Sequence, residues 1–245
     1  MVKIKVGICG FARSQDIVFT NLRLLEVQKT FYKPMLKSTA EKWRMRAPKD
    51  FEFTLKAWQL ITHEPTSPTY RKSKLKIAEH EWNKYGFFRP TDKVFEAWEV
   101  TNEIRKALDA KIVVFQCPAS FKESEENINN MRNFFRSINN RRDIQKIWEQ
   151  RGKWSKNTIR KLCAELDLIH CVDPFADDPL TPAGFAYFRL HGSPPGKRMY
   201  RYTYKKEDLK ELYERCMNKN FSEVYVLFNN NTMYGDALRF KELLS

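Results

Sequence analysis

The chain has 245 residues, 42% of them hydrophobic, with 44 Lys and Arg against 30 Asp and Glu, a formal net charge of +14. That is enough for one full core, and it fits a single large α/β domain spanning 1–245 better than two small ones. No run approaches the about eighteen consecutive apolar residues of a membrane span, and the opening Met1-Val2-Lys3-Ile4-Lys5-Val6 reads as a strand rather than a signal segment, so a soluble, cytoplasmic protein with no membrane partner is expected.

Cysteines stand at 9, 117, 163, 171 and 216. An odd number with no Cys-x-x-Cys spacing argues against a disulfide framework or a zinc knot, and free cysteine in apolar runs behaves as a small hydrophobe. Cys9, at the end of the first strand, is the one to check for reactivity. The charge is uneven. Residues 1–60 hold 12 basic and 5 acidic residues and residues 111–160 hold 11 and 5, whereas 161–245 hold 12 and 12. If the two basic stretches meet, they form a surface suited to a polyanion such as nucleic acid; the bland alternative is a lysine-rich solvated surface.

In chain order, apolar runs predict strands at 4–9, 24–28, 51–57, 112–116, 144–148, 168–172, 185–190 and 224–228. Between them lie helical patterns. One starts at the capping-box-like Ser38-Thr39-Ala40-Glu41. Others run over 92–108, 124–138 (with Ile128, Met131, Phe134 and Phe135 on one face), 155–166, 205–217 and 232–244. Eight strands alternating with helices is the pattern of a parallel (β/α)8 barrel with outer helices, at the usual length. Gly7-Ile8-Cys9-Gly10 is not a dinucleotide fingerprint, and no P-loop is present. Two stretches are irregular. Residues 64–91 contain three prolines and the basic run Arg71-Lys72-Ser73-Lys74-Leu75-Lys76, with a short helix expected around 72–82. Residues 173–184 contain Pro174, Pro179 and Pro182 and cannot be a regular helix.

Several pieces taken in order resemble one family. They are Gly7-Ile8-Cys9-Gly10-Phe11, Leu25-Glu26-Val27-Gln28-Lys29-Thr30-Phe31-Tyr32, Phe53-Thr54-Leu55-Lys56-Ala57, Ile61-Thr62-His63, the stretch from Phe115 to Phe121, Tyr187-Phe188-Arg189-Leu190-His191-Gly192 and the stretch from Val224 to Asn230. Together they identify the chain as a member of the YecE-like family (domain of unknown function 72). The resemblance implies a TIM-barrel-like fold and no established reaction. The chain departs from the family's pattern in places. Cys9 and Phe11 replace a Ser and a Trp, Gln28 and Lys29 replace an Asn and a Ser, and Glu149-Gln150-Arg151-Gly152-Lys153-Trp154 lacks the family's His and is one residue shorter.

Three strand-like runs end in pairs of polar residues at i and i+2: Glu26 and Gln28, Glu149 and Arg151, Arg189 and His191. On a strand each pair shares a face, and burial of such groups is costly unless they are paired, so a solvent-filled mouth at the strand ends is the cheaper placement. The candidate catalytic residues are Glu26, Glu149, Asp173 and His191. The candidate substrate-binding residues are Gln28, Lys56, Trp58, His63, Gln116, Arg151, Arg189 and Asn229. Lys56, Arg151 and Arg189 suit phosphate or carboxylate; the carboxylates and His191 suit acid–base work or a divalent metal; Trp58 suits stacking. Each has a plainer reading: Lys56 snorkelling, Glu149–Arg151 a structural ion pair, Asp173 a turn cap, Asn229-Asn230-Asn231 a polar turn. Tyr200, Tyr202 and Tyr204, interleaved with Arg198 and Arg201, read as a basic aromatic loop. The leading expectation is an enzyme for an anionic, phosphate-bearing small molecule. A nucleic-acid-associated protein and a carbohydrate-active enzyme using Glu26 with Glu149 are the alternatives.

Overall fold

The structure, a computed structural model, describes residues 2–138, 143–181, 184–192, 199–218 and 220–244. Eight parallel strands close a barrel in sequence order. They are β1 (Lys3–Cys9), β2 (Leu24–Val27), β3 (Glu52–Lys56), β4 (Ile112–Gln116), β5 (Gln145–Glu149), β6 (Leu168–Val172), β7 (Gly184–Leu190) and β8 (Phe221–Phe228). The helices between them are α1 (Gln15–Asn21), α2 (Lys29–Tyr32), α3 (Lys37–Arg46), α4 (Gln59–Thr62), α5 (Pro68–Ser73), α6 (Asp92–Ala107), α7 (Glu125–Ile138), α8 (Lys156–Leu166), α9 (Lys206–Cys216) and α10 (Met233–Glu242), with a 3-10 turn at Glu79–Lys84. No helix of the described residues is long and apolar enough to cross a membrane.

Most predicted strands and long helices recur with ends moved by a residue or so, and the caps explain the helix starts. Thr91 accepts from Val94 and Ser155 from Thr158, each satisfying an otherwise orphaned N–H. Three local expectations fail. β2 stops at Val27, and Gln28 turns into the right-handed region (φ −82, ψ −29) ahead of α2, so Glu26 and Gln28 do not share a strand face. α3 starts at Lys37, before the expected capping box. The helix expected over 72–82 ends at Ser73, because Lys74 takes a left-handed conformation (φ 58) and the chain runs irregularly to the 3-10 turn. The short helices α1, α2 and α4 have too few turns to leave a periodic signal.

The chain packs as two compact units: Met1–Glu26 with Ala47–Phe53 and Ile169–Ser245, and Val27–Arg46 with Thr54–Leu168. In the first, the residues of β1, β2, β7 and β8 that share one face carry a polar ladder instead of an aliphatic core. Register pairs Cys9 with Glu26, Lys5 with Tyr225 and Tyr187 with Tyr225. The Lys5 ammonium meets Glu223 at 2.9 Å and the Tyr225 hydroxyl at 2.7 Å, and Tyr225 donates to Glu52. These partners outweigh desolvation and raise the Lys5 pKa. The second unit is aromatic: Phe88, Trp98, Phe115, Phe121, Phe134 and Phe135 are buried and pack mainly edge to face or tilted. That unit holds 28 of the basic and 16 of the acidic residues, a net +12 that accounts for most of the chain's charge.

All five cysteines are unbridged and buried, Cys9 among them, as expected for small hydrophobes. Burial pushes Cys163 and Cys216 up to about 12.

Candidate functional site

The candidate residues fall into two groups, one in each unit, and most are buried. Glu26, Lys56, His63, Gln116, Glu149, Arg189 and His191 are each less than a tenth exposed. The solvent-filled mouth expected for them is therefore not their setting; the polar groups are buried, and most are seen to be paired, which is the arrangement that makes burial tolerable.

In the first unit, Glu26 and Arg189 form a fully buried ion pair at 3.0 Å. The Tyr187 hydroxyl donates to the other Glu26 oxygen at 2.9 Å, and Arg189 reaches Cys9 Sγ at 3.9 Å. A carboxylate held this way is a poor general acid or nucleophile, because either role requires the pair to open. Asp173 accepts the backbone N–H of Phe175, as a turn cap does, and that of His191; its Oδ2 lies 3.6 Å from His191 Nδ1. His191 packs edge-on against Tyr200. Asn229 is half-buried, with its N–H on Leu190, while Asn230 binds Tyr202, Thr232 and Asp236. The expected basic aromatic loop is thus partly core: Tyr204 is fully buried against Phe175 and Phe228 and accepts from Gly192. Arg198 and Pro182 lie outside the described residues.

The second unit places its candidates by register. Lys56 on β3 stands opposite Val114, two residues before Gln116, and Gln116 stands opposite Glu149 on β5. Since strand side chains alternate, Lys56, Gln116 and Glu149 share one face. Lys56 does not snorkel: it is 5% exposed, with its ammonium 3.6 Å from the centre of the Phe31 ring. The Phe31 ring also meets that of His63 edge-on at 4.9 Å. Phe31 thus ties together a lysine and a histidine from opposite ends of one strand–helix segment. Thr30 donates its hydroxyl to the Lys56 carbonyl at 2.6 Å, which anchors α2 to the end of β3. Glu149 accepts from Arg151 Nε at 3.0 Å; this is the ion pair of the plainer reading, although Arg151 keeps 30% of its side chain exposed. Trp58 is half-buried at the start of α4.

His63 is 3% exposed, with the Thr62 hydroxyl 2.8 Å from Nδ1. Burial lowers its pKa to about 3, helped by the charges of Lys56 and Arg151 and opposed by Glu149. The imidazole is therefore neutral at physiological pH, and the two cations outweigh the carboxylate at its position.

Two backbone features hold this group. The excursion after α4 folds back on it: Gly86 donates to the Leu60 carbonyl and Phe88 to that of Ile61. Gly86, Phe87 and Phe88 all have positive φ, at 75, 54 and 54, a strained run over-determined by the aromatic core that grips Phe88. A Cβ on Gly86 would lie 2.5 Å from the His63 carbonyl. After β5, Gly152 stands where the family resemblance would put a histidine, and a Cβ there would lie 2.0 Å from the Phe121 carbonyl. Trp154 donates its indole N–H to that same carbonyl. The Arg151 loop is thus pinned against 121 in a way that admits no side chain at 152.

Among the described residues, no three or more His, Cys, Asp or Glu side chains come together to hold a metal ion. Phe31, Thr62 and Tyr70, whose hydroxyl donates to the His63 carbonyl, shape the site without having been candidates. The sequence signal for Phe31 is its place in the family-like piece Leu25–Tyr32.

The architecture is that of a parallel (β/α)8 barrel with outer helices. Residues 19–245 match the model of the family described as protein of unknown function DUF72, and the chain belongs to that family. Solved structures agree. A DUF72 family protein from Enterococcus faecalis V583 is similar at 20% identity and TM-score 0.73, over 100% of this chain and 98% of that one. Another from Thermotoga maritima MSB8 is similar at 21% identity and TM-score 0.68, over 99% of both. The barrel of endonuclease IV from Thermus thermophilus is similar in fold at 11% identity and TM-score 0.56, over 99% of this chain and 98% of that one. None of the curated proteins matches the chain.

Proposed function

We propose that the protein is an enzyme that takes a small anionic, phosphate-bearing substrate at Lys56, His63 and Arg151. The observation that supports this is the electrostatic state of His63: an imidazole kept neutral first by burial and then by the charges of Lys56 and Arg151, each of which acts on it more strongly than Glu149. A site with that balance favours an incoming anion. Arg151 is partly exposed and so can meet a phosphate or carboxylate with its planar fork. In the tautomer whose Nδ1 accepts from the Thr62 hydroxyl, the ring proton sits on Nε2, where a neutral imidazole can donate to a substrate oxygen. Glu149, now held by Arg151, becomes available for proton transfer as the arginine turns to the ligand.

The test is calorimetric titration of inorganic phosphate and a panel of phosphorylated sugars and carboxylates, with wild type, R151Q and K56M compared. Hydrogen bonds to charged groups are worth about 1.5–3 kcal/mol, so R151Q is expected to weaken binding at least about tenfold while its thermal midpoint stays near that of wild type. A panel in which nothing binds the wild type, or in which R151Q binds equally well, refutes the reading.

A further inference from the structure

We infer that the cleft built by residues 65–82 is a second site, one that takes single-stranded nucleic acid. The cleft has a volume of about 600 Å3, with Tyr70, Ile77 and Trp82 on its walls and Arg71, Lys74 and Lys76 around it. It exists because the basic run does not stay helical. Lys74 caps α5 in a left-handed conformation, and the chain from Leu75 to Ile77 then forms a wall of the cleft instead of another helical turn. The indole of Trp82 is fixed by its N–H, which donates to the Ile77 carbonyl at 3.0 Å, yet the residue remains half-exposed.

The charges of this cleft are not neutralised from within the protein. The neighbouring carboxylates Glu64 and Glu81 are engaged by Arg89 and Lys84, and among the described residues no ion pair reaches Arg71, Lys72, Lys74 or Lys76. Lys72 instead lies 5.9 Å from the ring of Tyr32. An immobilised aromatic face bordered by cations is what single strands require: a base stacks on the ring while the phosphates on either side meet Lys and Arg. The concavity disfavours a flat lipid surface, and an extended acidic peptide would leave the indole face without a planar partner. The unit's net +12 raises the local concentration of any polyanion. None of this depends on the Lys56–His63–Arg151 site.

The experiment is fluorescence anisotropy with a labelled oligothymidylate of about ten nucleotides, titrated with wild type, K74E/K76E, W82A and R151Q. If three phosphates are neutralised, each adding about −0.7 to the slope of log K against log salt, a fourfold rise in salt should weaken binding about 20-fold. K74E/K76E changes two exposed side chains and should cost at least tenfold without moving the melting temperature. W82A should cost about fivefold or more through lost stacking, and R151Q should bind as wild type does. Absence of binding at low salt, a flat salt dependence, or K74E/K76E binding like wild type overturns the proposal. So does displacement of the strand by polyglutamate as readily as by unlabelled oligonucleotide, which would mark an acidic-peptide site, or loss of binding in R151Q, which would assign the strand to the other site.

Discussion

His63 makes the stability of the protein fall on the acid side in a way that one substitution should remove. Its pKa is about 3 in the folded chain against an ordinary value of 6.5. Between those two values the unfolded chain binds a proton at this position that the folded chain refuses. The stability slope with pH is proportional to protons bound in the unfolded state minus those in the native state. Here that difference is positive, so stability rises with pH through this window and is lost as pH falls below 6.5. At pH 4.5 the penalty is about two pKa units, or about 3 kcal/mol. Carboxylates add their own acid-side slope, but they add it equally to a variant lacking the imidazole. Urea unfolding of wild type and H63Q from pH 8 to 4.5 should therefore give curves that converge by about 3 kcal/mol at the acid end, whatever offset separates them at pH 8. K56M, which removes the cation with the larger effect on the ring, should make the wild-type slope shallower. Parallel curves for wild type and H63Q would refute both the neutral state of the ring and the electropositive setting inferred from it.

Two further outcomes are expected. G86A forces a side chain into a left-handed residue and brings Cβ to 2.5 Å from the His63 carbonyl; the conformation alone costs about 1–2 kcal/mol, so calorimetry should read a midpoint lower by about 2–8 °C, and an unchanged midpoint would show that the fold-back does not grip α4. R189M leaves Glu26 buried without its cation and should lower stability in urea by about 3–5 kcal/mol, with E26Q/R189M regaining part of the loss; a cost below about 1 kcal/mol would mean that water enters to solvate the carboxylate.

The alternation of strands and helices was legible because each long element carries its own period and cap. The 92–108 pattern becomes Asp92–Ala107 with Thr91 as its cap, and 155–166 becomes Lys156–Leu166 with Ser155. The candidate site was legible as a set of residue types at strand ends, but their state was not. Whether Glu26 is a reactive group or half of a sealed ion pair depends on Arg189, far along the chain on β7, and on the register that brings them to one face. Gln28 looked like the partner of Glu26 because i and i+2 align on a strand, and a single residue's turn to φ −82, ψ −29 removed it.

Phe31 shows most directly why pairing rules read along the sequence fall short. Lys56 and His63 are seven residues apart, with a helix between them, and neither touches the other through local geometry. A ring from α2 lies 3.6 Å from the ammonium and 4.9 Å from the imidazole, so an apolar residue with no charge of its own touches both. The Lys56 charge lowers the histidine's pKa and the Glu149 charge raises it, both secondary to burial. Replacing Phe31 by leucine removes one contact of Lys56 and the edge contact of His63 while every titratable group remains; a changed acid-side slope would show that the ring sets their spacing, and an unchanged slope would show that other contacts do.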